Sequence, residues 1–405
     1  MRGSRFGHVE LGDLLCRIEA GKSPLADDTP AGQGEWGVLK VSAIQPGRFV
    51  AQENKAVRDA ALIHPGYEVR PGDLIMTRAN TEELVGLACV AVAPPPRLML
   101  SDKTLRLVVD ESVADPTFLA LVLAQPSMRQ RIRSLATGTS GSMKNIGQGQ
   151  IRGLLMPDVP LDEQRRIVAA HNAIERRVKE LERVSDKRYA ALQAVIGSFW
   201  QGYANDMGSI ESACSALDAG ITLGAHRAPR NKPIGYLRVA NVRKGSIDLS
   251  DIAVLEAGER DRPRYELRRG DVLVVEGHAD PEQIGRAAVV TGRAAGLLYQ
   301  NHLFRLRFDR AMPEFGMLWL NSAPVRNYWK SRCATSSGLH TINRRLLNAV
   351  PFPNVSTSEQ KRIVGVWRSG QADLAVADQQ IAKLRVVQQG LTEDLLAGRA
   401  LPEGG

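Results

Sequence analysis

The chain is poor in the features that announce a chemistry. Its four cysteines, Cys16, Cys89, Cys214 and Cys333, lie far apart and form no CxxC pair. That argues against a zinc site and for reduced cytosolic thiols. The seven histidines give no H-x-x-x-H pair, so no metal site is expected. There is no run of about 18 apolar residues, and no membrane span is expected. The opening MRGSRFGHVELGDLL has no apolar core of about 7–15 residues, so no secretory signal is expected either. Gly21-Lys22-Ser23 lacks the upstream glycine of a phosphate loop. Gly147, Gly149 and Gly153 miss the dinucleotide-binding spacing, and Ser140 in TGTSGS fails G-x-S-x-G. An Asn-Pro-Pro-aromatic tetrapeptide, which holds an adenine amino group in methyltransferases, is absent. Together these absences make a self-sufficient enzyme an unfavoured reading.

What is present is ordinary globular composition with a positive balance. The 405 residues are 43% hydrophobic and 24% charged, which suits a soluble protein of several domains. The formal net charge is +9, and it is unevenly spread. Residues 205–356 carry 21 Lys+Arg against 15 Asp+Glu, whereas residues 1–160 carry 18 against 17. A basic block of this size fits a polyanionic partner such as nucleic acid.

The chain also repeats itself. Residues 139–168 set against 335–364, without a gap, give ten identities in 30. They include Thr139/Thr335, Ile146/Ile342, Pro157/Pro353, Glu163/Glu359, Gln164/Gln360, Arg166/Arg362 and Ile167/Ile363. Upstream, GVLKVSAIQPG (37–47) matches GYLRVANVRKG (235–245), and GDLIMTR (72–78) matches GDVLVVE (270–276). SDKTLRLVVD (101–110) matches QNHLFRLRFD (300–309), and PTFLALVLAQPSMRQRIRS (116–134) matches PEFGMLWLNSAPVRNYWKS (313–331). The order is the same in both halves, so the chain is a duplication of about 200 residues and not a solenoid of short repeats. Within each half, short runs rich in Val, Ile and Leu, bounded by Gly, Pro or Asp, predict strands. One amphipathic helix is predicted near 116–136 and another near 313–333.

Each half ends in a long stretch without proline, 161 to about 201 and 357 to about 398. Ile167, Ile174 and Leu181 form one heptad series in the first stretch, continued by Arg188 and Val195. His171, Val178, Ser185, Leu192 and Phe199 form the second. In the second stretch Ile363, Trp367, Leu374, Ala377, Ile381, Leu384, Leu391 and Leu395 repeat the pattern, with Gly370 and Gln388 as interruptions. This is the seam of a two-stranded coiled coil. Ser356-Thr357-Ser358-Glu359 predicts a capping box at one start. Asp162 and Glu163 suit the other start through the helix dipole, and Gly202 and Gly398 mark the stops. Each rod alone would be marginal. The expectation is therefore an antiparallel pair of rods with one globular domain at either end; the alternative is that each helix packs on its own domain.

Candidate binding residues cluster in three loop positions that match in place but differ in identity. The loop after each GD strand, RANTEEL (78–84) or GHADPEQ (277–283), offers Arg78, Asn80 and Thr81 in one half and His278 in the other. SDK (101–103) offers Lys103, and QNH (300–302) offers Gln300, Asn301 and His302. TGTSGSMKN (137–145) offers Ser140, Lys144 and Asn145; ATSSGLHT (334–341) offers Ser336 and His340, followed by Arg344 and Arg345. Lys22, Lys40, Arg238, Asn241 and Arg243 complete the candidates from the flanking motifs. Such side chains read base edges or hold phosphates. One scaffold carrying two loop chemistries is what two readers of different short sequences require.

In the doubled order of GVLKVSAI/GYLRVANV, GDLIMTR/GDVLVVE, the TS segments and the EQ-[RK]-R-I-V helix starts, the chain resembles the specificity subunit of type I restriction–modification systems over essentially its whole length. The resemblance implies an α/β (α+β) fold: two similar mixed α/β target-recognition domains (1–158 and 204–355) joined by a long antiparallel two-helix coiled coil (159–203 and 356–405), with pseudo-two-fold symmetry. It implies a cytoplasmic, non-catalytic protein whose domains each read half of a split DNA site, with the rods as the spacer ruler. The implied partners are double-stranded DNA, two methyltransferase subunits and restriction/translocase subunits. S-adenosylmethionine, ATP and magnesium would sit on those partners. Pro160, in place of a capping serine, is a small departure. The alternatives are the DNA-reading part of another defence system, or a coiled-coil scaffold that binds protein.

Overall fold

The computed structural model describes residues 6–26, 28–140, 143–203, 206–231, 233–280, 282–333, 340–396 and 398. The chain forms two compact units: Met1–Leu181 with Gln380–Gly405, and Glu182–Gln379. Each unit therefore takes part of both long helices, so the units do not coincide with four successive segments.

In the first unit the elements are β1 (Leu15–Ala20), β2 (Trp36–Leu39), β3 (Asn54–Val57), β4 (Leu74–Thr77), β5 (Ala79–Asn80), β6 (Ala88–Val90), β7 (Leu98–Met99) and β8 (Thr104–Val109). Helices α1 (Pro116–Ala124) and α2 (Pro126–Leu135), the hairpin β9 (Thr137–Ser140) and β10 (Met143–Asn145), and the N-terminal part, to Leu181, of the rod α3 (Leu161–Gln201) follow. A four-stranded antiparallel sheet runs β1-β8-β4-β6, and a second sheet runs β7-β2-β3 with β7 and β2 parallel. Strand β4 is buried on both faces. Leu74 and Met76 join Leu105, Leu107 and the α1 residues Phe118 and Leu119 in one core, while Ile75 points into the core under the second sheet. That double burial explains the unbroken apolar run LIM after the GD turn.

The second unit repeats the plan with β11 (Cys214–Ala219), β12 (Pro233–Leu237), β13 (Ala253–Glu256), β14 (Val272–Val275), β15 (Gly277–His278), β16 (Ala287–Val289), β17 (Leu298–Tyr299) and β18 (Leu303–Phe308). Helices α4 (Pro313–Leu320) and α5 (Ala323–Arg332), strand β19 (His340–Thr341) and the N-terminal part, to Gln379, of the rod α6 (Thr357–Leu396) complete it. The sheets run β11-β18-β14-β16 and β13-β12-β17, the same orders as in the first unit. The predicted single helix near 116–136 is two helices, as is its counterpart. Pro126 and Pro324 lie in the first turn of the second helix of each pair; proline has no N–H to donate and ends the preceding helix.

Several doubled residues are explained by backbone geometry. In both GD turns the aspartate carboxylate accepts a backbone N–H, Arg70 to Asp73 and Arg268 to Asp271, each at 2.8 Å. The preceding Gly72 and Gly270 have φ of +90° and +92°, which favours glycine. Gly21, in the failed phosphate-loop triplet, is a crossing point: a Cβ there would lie 2.0 Å from the Leu100 carbonyl oxygen.

The rods start as the sequence suggests, with one difference. The Glu359 N–H donates to Ser356 Oγ at 3.3 Å, but the Glu359 carboxylate does not turn back to the cap. It accepts from Tyr203 at 2.8 Å and from Arg362 at 2.6 Å. Arg362, and then Tyr203, hold the carboxyl down to about 2. At the other start the Pro160 carbonyl accepts the N–H groups of Glu163 and Gln164 at 2.9 and 3.0 Å. Gly398 stops α6 in the left-handed region, at φ +67°.

The seam on α6 keeps strict 3–4 spacing: Ile363, Leu374, Ala377 and Gln388 are buried, and Trp367, Ile381, Leu384 and Leu391 half-buried. On α3 the seam holds through Ile167, Ile174, Val178 and Leu181. It then departs from the predicted heptads: Arg188 and Val195 are exposed, and Ile196 and Trp200 are buried instead. Trp200 packs edge-on against Phe315 and Trp319, so this end of α3 follows the 3.6-residue period of a helix laid on its own unit's core. The helices run antiparallel within each unit. In the first, His171 meets Thr392 and Glu175 meets Gln388. In the second, Leu192 abuts Gly370, where a Cβ would lie 2.7 Å from both Leu192 methyls.

Candidate nucleic-acid interface

The three loop positions singled out by the sequence come together in each unit. In the first unit β9, β10 and β5 form one small sheet, with Lys144 opposite Asn80 and Asn145 opposite Ala79. Arg78 donates its N–H to the Lys103 carbonyl at 2.8 Å and accepts from Ile146 at 3.0 Å. Ser23 hydrogen-bonds Asp102, which brings Lys22 to the same edge. Arg78, Thr81, Lys103, Asn145 and Lys22 are exposed; Asn80 and Lys144 are half-buried. The result is a surface with four cations and adaptable amides and hydroxyls, able to take phosphates and base edges.

The second unit builds the same platform. β15 pairs with β19, placing His278 opposite His340. Glu276 donates its N–H to the His302 carbonyl at 3.0 Å and accepts from Ile342 at 2.7 Å. Asn301 is tied to Ile221 through its backbone at 2.9 Å, and Gln300 bridges to the same residue. Where the first unit has Arg78, the second has Glu276, whose carboxylate lies 2.7 Å from His302 Nδ1. Arg344 and Arg345 are exposed on a short helix capped by Asn343. The two platforms thus share a backbone and differ in charge. Ser336 lies outside the described residues, and of Ser140 and His340 only the backbone is described.

The loop anchors are common to both units and were not among the predicted residues. Buried Arg129 donates to the carbonyls of Glu83 and Val85 at 2.9 and 2.8 Å. Arg326 donates to the Glu282 carbonyl at 3.1 Å and to its carboxylate at 2.9 Å. Gly86 and Gly285, at φ +65° and +68°, pass so close to Ile132 and Trp329 that a Cβ would lie 2.4 and 2.3 Å from the nearest atom. The signal was present in the sequence, because Arg129 and Arg326 are identical in the aligned helices.

The remaining candidates lie in the turns that follow β2 and β12, and one is corrected. Asn241 is 3% exposed; its amide donates to the Asp248 and Asp251 carbonyls at 3.0 and 2.8 Å and accepts from the Arg238 N–H. It holds a turn and has no free edge for a base. Arg238 pairs with Asp251, and Arg243 lies 3.4 Å from Asp248. Lys40 is half-buried at the start of the equivalent turn. Among the described residues no group of His, Cys, Asp and Glu could hold a metal ion, and no helix is long and apolar enough to cross a membrane.

No protein-family model matches the chain. It is 27% identical over 185 residues to the type I restriction enzyme EcoEI specificity subunit of Escherichia coli, a match covering 45% of this chain and 30% of that protein. It is 24% identical over 302 residues to the EcoKI specificity subunit of Escherichia coli K12, covering 69% of this chain and 64% of that protein. Both matches span less than two thirds of the relative. Among solved structures, a chain from a study of complex assembly and conformational transition in a type I R-M system aligns over 99% of both chains, with a TM-score of 0.62 and 16% identity. The type I S subunit from M. genitalium aligns over 100% of this chain and 98% of its own, with a TM-score of 0.52 and 13% identity. The fold is therefore the one the sequence resemblance implied, and the curated relatives are the specificity subunits it pointed to.

Proposed function

We propose that this chain is the non-catalytic specificity subunit of a type I restriction–modification complex. Each unit reads one half of a bipartite, asymmetric site on double-stranded DNA. The paired helices set the spacer and dock two methyltransferase subunits and the restriction/translocase subunits. The chemistry belongs to those partners: S-adenosylmethionine for methylation, with an adenine taken out of the stack, and ATP with magnesium for translocation and cleavage. The workplace is the cytoplasm, where the DNA is.

One observation carries the reading. The two platforms share their anchors, Arg129/Arg326 and Gly86/Gly285, yet present different side chains at matched positions, Arg78 against Glu276 and Lys103 against His302. A duplicated scaffold with divergent tips is the economical way to read two unlike half-sites. The test is selection from a randomised duplex pool by the chain co-expressed with its methyltransferase partner. The expected product is two short motifs at a fixed spacing, with binding that falls steeply with salt. One continuous motif, or binding indifferent to salt and sequence, overturns the proposal.

A further inference from the structure

The duplication creates a folding problem. Helices α3 and α6 descend from one sequence, so an α3 can in principle pair with the α3 of a second copy, or α6 with α6. The first unit contains a polar layer in the seam that bears on this choice. Gln388, 6% exposed, donates to Glu175 Oε2 at 3.1 Å and to the His171 carbonyl at 3.3 Å. Arg385 donates to Glu175 and lies 3.3 Å from Gln388 Oε1. His171 Nδ1 lies 3.1 Å from Thr392 Oγ1, whose hydroxyl donates to the Gln388 carbonyl at 2.7 Å. Every member of the layer finds its partner on the other helix or along its own.

The equivalent layer of the second unit is nearly devoid of such groups. With the 196-residue offset that pairs Gln164 with Gln360, His171 and Glu175 correspond to Trp367 and Gln371. Arg385, Gln388 and Thr392 correspond to Tyr189, Leu192 and Ile196. Leu192 fills the space over Gly370, and Tyr189, Ile196, Trp367 and Gln371 border a cavity of about 360 Å³. The polar members are thus split between the helices, His171 and Glu175 on α3 and Arg385, Gln388 and Thr392 on α6. They meet only when α3 pairs with α6. In an α3–α3 pair Glu175 would face Tyr189 and Leu192 twice over. In an α6–α6 pair Arg385 would be twice without its carboxylate. A slip by one heptad has the same effect. Half-buried Glu175 set against apolar side chains loses its partners, exposed Arg385 adds only a modest ion-pair preference, and buried polar residues at seam positions, here Gln388 and Thr392, are known to fix register and partner.

We propose that the His171–Glu175–Arg385–Gln388–Thr392 layer is a pairing device, which makes α3 choose α6 over a second copy of α3 and holds one register. The pairing itself does not depend on DNA binding. Its consequence, a single spacing between the two readers, rests on the function proposed above.

The test uses the full chain. His171 faces Thr392 and Glu175 faces Gln388, so with the 196-residue offset two antiparallel α3 helices would cross near Val184. Val184→Cys, in a Cys16→Ser, Cys89→Ala, Cys214→Ser, Cys333→Ala background, reports α3–α3 pairing as a disulfide-linked dimer after refolding under oxidising conditions. The native layer is expected to give little dimer. Replacing the layer by its counterpart (His171→Trp, Glu175→Gln, Arg385→Tyr, Gln388→Leu, Thr392→Ile) is expected to raise the dimer fraction about tenfold or more. Glu175→Arg alone, which opposes Arg385, should raise it too, and adding Arg385→Glu should return it to the native level. Equal cross-linking with native and exchanged layers, or failure of the double charge exchange to restore the native level, overturns the proposal. A normal cross-linking result with no fixed spacing in selected DNA would instead overturn the function and leave the device standing.

Discussion

Gln164 and Gln360 do the same work in the two units. Gln164 accepts the N–H of Asp115 at 2.8 Å and donates to the Val159 carbonyl at 2.8 Å. Gln360 accepts the N–H of Met312 at 2.8 Å and donates to the Val355 carbonyl at 2.8 Å. Both amides are almost fully buried, at 2% and 4% exposure. Gln164 fastens the start of α3 to the entry of α1 and Gln360 that of α6 to the entry of α4, which explains why the glutamine of the EQ dipeptide is written twice.

Removing either amide should therefore loosen one unit at a time. Gln164→Leu and Gln360→Leu each strand a buried N–H and a carbonyl, at a cost of about 1–3 kcal/mol. Urea unfolding followed by hydrogen exchange should show Gln164→Leu exposing amides of the first unit and Gln360→Leu those of the second. Equal exposure of both units by either variant would contradict the assignment.

The platforms should be separable by mutation. Lys103→Ala is expected to weaken or relax recognition of one half-site, and Asn301→Ala that of the other, each by about 1–3 kcal/mol if a base edge is read. Methylation assays on sites altered in one half at a time measure this. Equal loss at both halves for either variant would sink the two-reader model.

Charge in the seam should act on assembly. Ile174 and Leu384 are half-buried where α3 and α6 pair in the first unit. Ile174→Glu with Leu384→Glu puts two like charges into that seam and should lower the thermal midpoint and abolish complex formation. Normal methylation by the double variant would contradict the paired helices.

Acid should weaken the rods in two windows. Burial holds the His171 imidazole below its ordinary value; Glu175 pulls it up and Arg385 pushes it further down. The unfolded chain then binds more protons than the folded one below about pH 6.5. Stability from this group is complete above that pH and falls as pH drops through the folded value. Glu359, held down to about 2 from 4.5, contributes stability that is complete above pH 4.5 and lost toward pH 2. Thermal midpoints across pH should show a first decline absent in His171→Asn and a second, lower one absent in Glu359→Gln.

Much of this protein was legible in its residues. The duplication, the strands and the helix starts follow from local patterns: β-rich runs between turns, a GD turn needing a left-handed glycine, a serine cap and a seven-residue apolar spacing. Those depend on interactions a few residues apart, which one-dimensional spacing records. The tertiary structure decided what depends on distant partners. Asn241 is spelled like a base reader, but the carbonyls of Asp248 and Asp251 consume its amide. His171 and Gln388 look like flaws in two separate seams, yet they form one layer because the helices run antiparallel. Ile196 and Trp200 displace Val195 from the seam, since the core of the second unit outweighs the heptad there. A sequence states which side chains are available; only folding decides which of them are used on one another and which remain for a partner.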